Sequence, residues 1–290
     1  MKKIFIVGSV NTDFVISAPY MPAGGETLTG SGFFTARGGK GANQAVAACR
    51  MGGKVKTCAC VGDDLFGKES VSAFQKEGMD VSHIRFIADM PTGTAVILVT
   101  DGENRIVLDK GANNGLKKED VDLFLEEARA GDIYLTQLEN PIEVIGYGLQ
   151  KAKEKGMFVV LNPAPANKKI QPYLGCCDLI IPNETELELL GGKKQLLAKT
   201  NAKIIVTLGE KGYQIITKKE ERTYPCIKIK AVDTTAAGDT FCGALVSCLA
   251  KGTKLEEAAA FGSKAASIAC TRKGAQPSIP ILEEVEKYKL

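Results

Sequence analysis

Short apolar runs alternate with helical patterns along most of the chain. Residues 4–7 are wholly apolar and stop at Gly8, which is typical of a strand buried on both faces. The pattern predicts further strands at 55–61, 133–136, 157–161, 179–181 and 204–208, and helices at 42–51, 66–76, 119–128, 142–155 and 184–190. Strands that alternate with helices imply right-handed crossovers, and therefore a mostly parallel sheet with helices on both sides.

A second region has a different pattern. Residues 26–35 alternate small, polar and aromatic side chains, and they follow a turn signal at residues 22–25. Together with residues 94–100 and 105–109, this stretch predicts a small β-sheet that is set apart from the main body. Neither an internal repeat nor a low-complexity tract interrupts the sequence.

Composition limits the functional classes. The 290 residues suit one large domain, with 44% apolar and 24% charged residues and a formal net charge of +3. No long basic block is present, so a nucleic-acid partner is not expected, and no stretch approaches the roughly 20 apolar residues of a membrane helix. Nine scattered cysteines do not resemble a disulfide framework and predict reduced thiols in the cytoplasm.

The decapeptide at residues 232–241 carries the main chemical signal. Residues 227–231 before it predict a strand, and residues 241–249 predict a helix, so the small residues Ala236, Ala237 and Gly238 lie where a helix begins. Backbone N–H groups at a helix start bind phosphate well. Asp239 would repel a phosphate there unless it takes a proton from an attacking hydroxyl. The alternative is that Asp239 only caps the helix, since Asp is favoured at that position.

One motif is a decoy. Residues 62–69 match the start of a Walker A loop, but Glu69 stands where a Ser or Thr would bind magnesium. Asp63 and Asp64 would also repel phosphates. We therefore predict an ordinary strand–turn–helix connection here.

Several segments together resemble one family, the ribokinase-like (PfkB) sugar kinases. The decapeptide is similar to the C-terminal signature of that family, and Gly38-Gly39-Lys40-Gly41-Ala42-Asn43-Gln44-Ala45 is similar to its N-terminal signature. Further similar segments, which look like ribokinases in particular, are 162–166, 182–186 and 271–278. The resemblance implies an α/β fold, with three α/β/α layers, a mostly parallel central sheet and a small protruding β-sheet lid. It implies a single kinase domain over residues 1–290, with the lid formed by about 11–37 and 94–110.

The resemblance also implies a sugar site at strand ends and tight turns, where open α/β sheets place ligands. Its predicted residues are Asn11, Asp13, Gly39, Lys40, Asn43, Glu139 and Asp239. Asp13 resembles the residue that binds neighbouring sugar hydroxyls, and Glu139 the one that contacts the anomeric side. From the residues alone, Glu139 fits a plain helix start equally well, and Lys40 would usually be solvated. Arg37 departs from the family pattern, which more often has an apolar residue or Pro.

The other implied ligands are ATP, Mg²⁺ and a monovalent cation, K⁺. The predicted ATP residues are Asn183, Thr207, Gly209, Gly212, Gly238 and Ser263, and Asn183 and Glu186 would hold Mg²⁺ through water. An alternative for Asn183 and Glu186 is a capping box. The predicted K⁺ residues are Asp233, Thr235, Ala269, Arg272, Gly274 and Ser278.

The resemblance implies phosphorylation of D-ribose at its 5-hydroxyl, which gives ribose 5-phosphate and ADP. The alternatives are another kinase of the family, acting on 2-deoxyribose, fructose or a nucleoside, and a sugar sensor without catalysis. A sensor need not keep Asp239 and the anion site together. The family also implies a homodimer joined through the lids, because lid strands have edges to cover.

Overall fold

The computed structural model describes residues 1–101 and 103–288. Two sheets are present in this part of the chain. The strands are β1 (Lys3–Val7), β2 (Asn11–Ser17), β3 (Ser31–Gly38), β4 (Lys54–Gly62), β5 (Asp80–Ile87), β6 (Gly93–Thr100), β7 (Glu103–Asp109), β8 (Ile133–Thr136), β9 (Phe158–Leu161), β10 (Leu179–Ile180), β11 (Lys203–Thr207), β12 (Tyr213–Ile216) and β13 (Glu221–Tyr224).

The larger sheet is mostly parallel. Its order is β13-β12-β11-β10-β9-β8-β1-β4-β5, and only β12 and β13 run antiparallel to their neighbours. The helices are α1 (Lys40–Arg50), α2 (Leu65–Lys76), α3 (Lys118–Leu125), α4 (Ile142–Glu154), α5 (Glu184–Leu189), α6 (Gly192–Lys199), α7 (Ala237–Ala250), α8 (Leu255–Ala269) and α9 (Leu282–Lys287).

Alternate side chains of β1 show the three layers. Ile4 and Ile6 pack in one apolar cluster with α1, α2, α7 and α8, whereas Phe5 and Val7 pack in another with α3, α4, α5 and α6. Successive strand residues point to opposite faces, so a strand covered on both sides must be apolar throughout. Cys58 and Cys60 of β4 both lie in the second cluster. The predicted α/β/α architecture is therefore confirmed.

The smaller sheet has the order β3-β2-β6-β7 and stands apart from the large one. Strand β2 pairs antiparallel with β3 and parallel with β6, and β7 pairs antiparallel with β6. Residues 26–30, predicted as strand, have no regular structure, and β3 begins only at Ser31. Gly30 and Gly32 both lie at this point, and glycine weakens strand formation.

The predicted strand at residues 227–231 is wrong, because this segment has no regular structure. The sheet ends instead with β13, which the apolar pattern did not reveal because most of its side chains are exposed. Pro225 follows β13 directly. Proline has no N–H to donate, so pairing with β12 stops there.

The decoy loop is confirmed as a connection between β4 and α2. Asp64 caps α2 by accepting a hydrogen bond from the Gly67 N–H at 2.8 Å. The same carboxylate accepts from the backbone and the hydroxyl of Thr92, at 2.7 Å each. It therefore serves to cap a helix and tie two loops together.

We expect Gly243→Ala to destabilise the fold at the contact between α1 and α7. A Cβ at residue 243 would lie 2.5 Å from both the Ala47 Cβ and the Gln44 carbonyl oxygen. Overpacking of this kind costs about 1–3 kcal/mol, which urea unfolding would measure. Gly175→Ala is the matched control, because its nearest neighbour would be 3.8 Å away. Equal unfolding free energies for the two variants would contradict this account.

Candidate active site

The buried carboxylate of Asp239 lies in the first turn of α7, against α1. Its Oδ2 accepts a hydrogen bond from Asn43 Nδ2, and its Oδ1 accepts one from Gln44 Nε2, both at 2.9 Å. Asp239 is 7% exposed. Asp239 does not cap α7. The N-cap residue is Ala236, and no side chain makes a capping hydrogen bond at this end of the helix in the described part of the chain. The plain helix-cap interpretation of Asp239 is therefore wrong.

The backbone before Asp239 presents free donors. Ala236 has a left-handed conformation with φ of 59°. The Ala237 N–H donates to the Thr234 carbonyl at 3.2 Å, and the Thr240 N–H to the Ala236 carbonyl at 2.8 Å. Within residues 1–101 and 103–288, the N–H groups of Ala236 and Gly238 have no hydrogen-bond partner, and open space lies in front of Gly238. Of the three predicted donors, Ala237 is thus already engaged.

Sequence reasoning missed a chain of buried amides behind Asp239. Gln44 Nε2 donates to Asn162 Oδ1 at 2.9 Å as well as to Asp239, and Gln44 Oε1 accepts from Gln137 Nε2 at 2.6 Å. The Asn162 amide in turn donates to the Ile181 carbonyl at 2.7 Å. Gln44 follows Asn43 directly in the glycine-rich segment, which was the one signal available. These hydrogen-bonded amides therefore connect the Asp239 carboxylate to the ends of β8, β9 and β10.

Asn11 and Asp13 lie at the start of β2, where the chain leaves the large sheet for the small one. Asn11 Oδ1 accepts from Asn113 Nδ2 at 2.8 Å, and Asn113 is itself held by both backbone groups of Val10. Glycine leaves room for these side chains in their observed conformations. A Cβ at Gly38 would collide with the Asp13 carboxylate, and one at Gly93 with Asn11.

Acidic groups surround Asp13 and alter its titration. Burial raises the pKa of Asp13 to about 6, and the nearby carboxylates of Glu139 and Asp239 add to this shift. Helix α1 connects this edge to the α7 start. A Cβ at Gly39, the residue before α1, would lie 2.8 Å from the Asn11 nitrogen, and Asn43 of α1 donates to Asp239.

Glu139 is a buried hydrogen-bond acceptor. Its Oε2 accepts from the Ser9 hydroxyl at 2.5 Å and from the Lys40 backbone N–H at 3.0 Å. It therefore fastens the β1 end to the start of α1. Gly39 precedes this point with φ of 90°, a conformation that favours glycine.

Lys40 is the basic side chain of this acidic cluster. The charge of Asp239 raises the pKa of Lys40 most, burial opposes the shift, and Glu139 and Glu186 raise it further. Lys40 therefore stays charged, near both the sugar edge and the α5 start. The surface solvation that an isolated lysine would favour is not observed, because the side chain is partly buried.

Asn183 and Glu186 form the capping box that was the alternative interpretation. Asn183 Oδ1 accepts from the Glu186 N–H at 2.8 Å, and Glu186 Oε2 accepts from the Asn183 N–H at 2.9 Å. Burial raises the pKa of Glu186, although its bond to Asn183 and the charge of Lys40 oppose the shift. Glu186 Oε1 has no protein partner in the described part of the chain.

The predicted nucleotide residues lie on separate elements. Thr207 ends β11 and makes an isolated bridge with Asn183, so the strand end and α5 are adjacent. Gly209 (φ 58°) faces open space, whereas a Cβ at Gly212 would collide with the Tyr224 carbonyl. Gly212 thus has a packing role. Ser263 is buried on α8.

The predicted cation loop is closed by Asp233. Its Oδ1 accepts from the N–H and hydroxyl of Thr235 at 2.9 and 2.6 Å, and its Oδ2 accepts from the Gly274 N–H at 2.9 Å. Burial raises the pKa of Asp233, but these bonds outweigh it and lower the pKa overall. The carboxylate is therefore ionised.

The other predicted residues of this loop have protein partners. Arg272 forms a two-point salt bridge with Glu284, at 2.7 and 3.2 Å. The Ala269 carbonyl accepts from the Arg272 N–H at 3.0 Å, and the Ser278 hydroxyl donates to the Ala275 carbonyl at 2.7 Å. Among the described residues there is no cluster of three or more metal-binding side chains and no helix able to span a membrane.

Curated proteins match the chain along almost their whole length, and two of them serve as examples. A ribokinase from Haemophilus influenzae is 42% identical, with 99% of this chain and 98% of that protein covered. A deoxyribokinase from Salmonella typhi is 34% identical, with 98% of each covered.

Solved structures match equally well. A ribokinase from Thermotoga maritima has a TM-score of 0.87 at 38% identity, with 99% of this chain and 98% of that one covered. An Arabidopsis thaliana ribokinase complexed with ribose and ATP has a TM-score of 0.86 at 29% identity, with the same coverage. The model of the pfkB family carbohydrate kinases matches residues 1–282. The chain therefore belongs to the pfkB family of carbohydrate kinases.

Proposed function

We propose that the protein is an ATP-dependent kinase that transfers a phosphoryl group to the 5-hydroxyl of D-ribose. The products are ribose 5-phosphate and ADP. One observation carries the proposal: the Asp239 carboxylate, held by Asn43 and Gln44, lies beside the unpaired N–H of Gly238. A proton acceptor and an anion site are thus adjacent, as phosphoryl transfer to a hydroxyl requires. The relatives named ribokinase support ribose as the acceptor.

Asp13 and Asn11 orient the sugar in this proposal. An ionised carboxylate accepts from two neighbouring hydroxyls, and Asn11 is locked in place by Asn113. Glu139, Lys40 and Asn43 bind further oxygens, and Gly39 lets the backbone approach the ring. The sugar hydroxyl that reaches Asp239 loses its proton to the carboxylate as the phosphoryl group arrives.

The anion site stabilises the transferred group. The N–H groups of Ala236 and Gly238 meet the negative oxygens, and the start of α7 adds a favourable dipole. Ala237 contributes less than its sequence position predicts, because its N–H is engaged. The small sheet, as a lid over the sugar edge of a single domain, excludes water.

ATP lies across the end of β11 and the start of α5, where Thr207, Asn183 and Gly209 are available, and Ser263 of α8 contributes from a separate element. Glu186 fits a water-mediated Mg²⁺ contact, because one of its oxygens lacks a protein partner in residues 1–101 and 103–288. Mg²⁺ usually keeps several waters and binds substrate phosphates, so few protein ligands suffice. When bound, the ion neutralises phosphate charge.

A monovalent cation, K⁺, fits beside the loop that Asp233 closes. The carboxylate is ionised, and backbone carbonyls of Thr235, Ala269, Arg272 and Gly274 lie on the segments it joins, with Ser278 close in sequence. Such an ion would shape the backbone before the anion site without touching the substrate.

The alternative acceptor is 2-deoxyribose, because one of the matching relatives is named deoxyribokinase. Fructose or a nucleoside would be a more distant choice within the family. A sensor without catalysis is disfavoured, since Asp239 and its unpaired backbone donors are both in place.

The small sheet also supports a homodimer. Val96 and Val107 are register partners on one face and are 51% and 74% exposed. Strands β3 and β7 form its two edges. Exposed apolar faces and open strand edges are usually covered by a partner. We propose a second copy of this chain as that partner, and a cytoplasmic location that keeps all nine cysteines free.

A substrate panel tests the proposed activity. ADP release should be fastest in kcat/KM with D-ribose, and 2-deoxyribose should be weaker, because a site that bonds the 2-hydroxyl rejects a sugar lacking it. Asp239→Asn should lower kcat by on the order of 10² to 10⁴. The fold should survive, because Asn43 Oδ1 has no partner among the described residues and can accept a hydrogen bond from the new amide after a flip. A preference for deoxyribose, fructose or a nucleoside would overturn the assignment to ribose.

The pKa of Asp13, about 6, predicts a pH dependence for sugar binding. Protonation removes acceptors for the sugar hydroxyls, so the KM for ribose should rise as the pH falls, by roughly tenfold per unit below that pKa. Asp13→Asn should bind ribose weakly, with a KM that no longer changes between about pH 5 and 7. Persistence of the inflection in this variant would show that a group other than Asp13 causes it.

The dimer is tested by sedimentation equilibrium. Val107→Lys should shift the protein towards monomer, because a charge would be buried in the interface. Leu123→Lys on α3 is the matched control, since Leu123 is 57% exposed and lies outside the small sheet. A wild-type monomer, or a dimer unaffected by Val107→Lys, would contradict this interface.

A further inference from the structure

A cavity of about 220 Å³ lies between the small sheet, helix α2 and the loop at residues 273–277. It is separate from the proposed sugar site. Thr12 and Arg37 are register partners on β2 and β3 and line the cavity. Asn11 and Asp13 flank Thr12 along β2, so their side chains point to the opposite face of the sheet. The cavity is therefore behind the sugar edge.

Two buried polar groups at this cavity lack partners. Ser70 of α2 is 1% exposed and Gln276 is 4% exposed, and both line the cavity. Neither Ser70 Oγ nor Gln276 Nε2 has a hydrogen-bond partner in the described ranges of the chain. An unsatisfied buried polar atom costs about 1–3 kcal/mol, so it calls for an explanation. The proposed catalytic cycle uses neither group.

The charges at the cavity favour an anion. Arg37 and Lys273 both line it, and in residues 1–101 and 103–288 neither forms a salt bridge. Glu69 is the one carboxylate on the wall, so the cations outnumber it. Lys273 also lowers the pKa of Asp233, but that carboxylate is already bonded by Thr235 and Gly274. One cation at least is thus available to a ligand.

The apolar part of the wall indicates what else the ligand carries. Phe66 and Pro277 line the same cavity as the two cations. Phe34 also borders it, but Phe34 is the register partner of Val15, so its side chain points to the sheet face that carries Asp13. A bare inorganic ion would leave Phe66 and Pro277 uncovered, whereas a short apolar body would bury them. The guanidinium of arginine matches a carboxylate with two parallel hydrogen bonds.

We propose that this cavity binds a small organic anion, with a carboxylate at Arg37 and Lys273 and a short apolar body against Phe66 and Pro277. Ser70 and Gln276 provide further polar contacts. Such a ligand links β3 to the 273–277 loop. Because β3 continues into Gly39 and Lys40, and the loop includes Gly274, the ligand would couple to both the sugar edge and the cation loop. Coupling of this kind is reciprocal between the two sites.

Calorimetric titration of the full-length protein with benzoate tests the site directly. We expect binding with a Kd of roughly 0.1–1 mM and weaker binding of acetate, which lacks the apolar ring. Inorganic phosphate carries a negative charge but has no apolar body, so it should bind more weakly than benzoate. The titration is run without substrates, so its result does not depend on whether the protein phosphorylates ribose.

Matched variants locate the binding. Arg37→Gln and Lys273→Met should each weaken benzoate binding by about tenfold, because each removes a charge-assisted hydrogen bond to the carboxylate. Both side chains are exposed, so the fold should tolerate the substitutions. Lys76→Met is the control, since it removes the same charge from α2 outside the cavity. Ser70→Ala should weaken binding by a smaller factor.

Several outcomes would overturn the proposal. One is no detectable benzoate binding at about 10 mM, well above the expected Kd. Others are equal affinity in Arg37→Gln, Lys273→Met and the Lys76→Met control, or tighter binding of inorganic phosphate than of benzoate. Benzoate binding that is unchanged in Arg37→Gln and Lys273→Met but is lost when the sugar and ADP are both saturating would place it at the active site instead.

Discussion

The close approach of α1 and α7 is the constraint on which the site depends. Gly243 lets the two helices meet at the backbone of Gln44, because any side chain at residue 243 would collide with α1. That contact brings Asn43 and Gln44 to either oxygen of Asp239. A buried carboxylate without such donors would be costly, so the packing and the chemistry depend on the same helix pair.

The site balances several carboxylates against one lysine. Asp13, Glu139, Asp239 and Glu186 lie within electrostatic reach of one another or of Lys40. Burial makes their mutual repulsion larger than it would be in water. Hydrogen bonds from backbone and amide groups offset part of this cost, while Lys40 stays charged among them. Substrate hydroxyls would complete the set of donors.

Backbone approach explains why small residues are concentrated at both ends of the site. Gly38 and Gly93 leave room for Asp13 and Asn11, and Gly39 turns the chain with a positive φ before α1. At the other end, Ala236 takes a left-handed conformation directly before α7, and open space lies beside Gly238. The paired strands β2 and β3 carry the predicted sugar residues on one face, and the cavity that Arg37 lines lies at the other face.

Periodicity in the sequence determined the layered α/β fold, because strands buried on both faces must be apolar throughout, and the motifs indicated Asp239 and the sugar edge. It did not reveal β13, which has few buried side chains, or the absence of strand at 227–231. Only the tertiary structure decided how Asp239 is held, since its donor Gln44 is fixed by Gln137 and Asn162, which are far from Gln44 along the chain and meet it only where strand ends converge. It also decided that Ala237 is engaged and that Asn183 and Glu186 cap α5, because hydrogen bonding depends on local geometry that residue types do not specify.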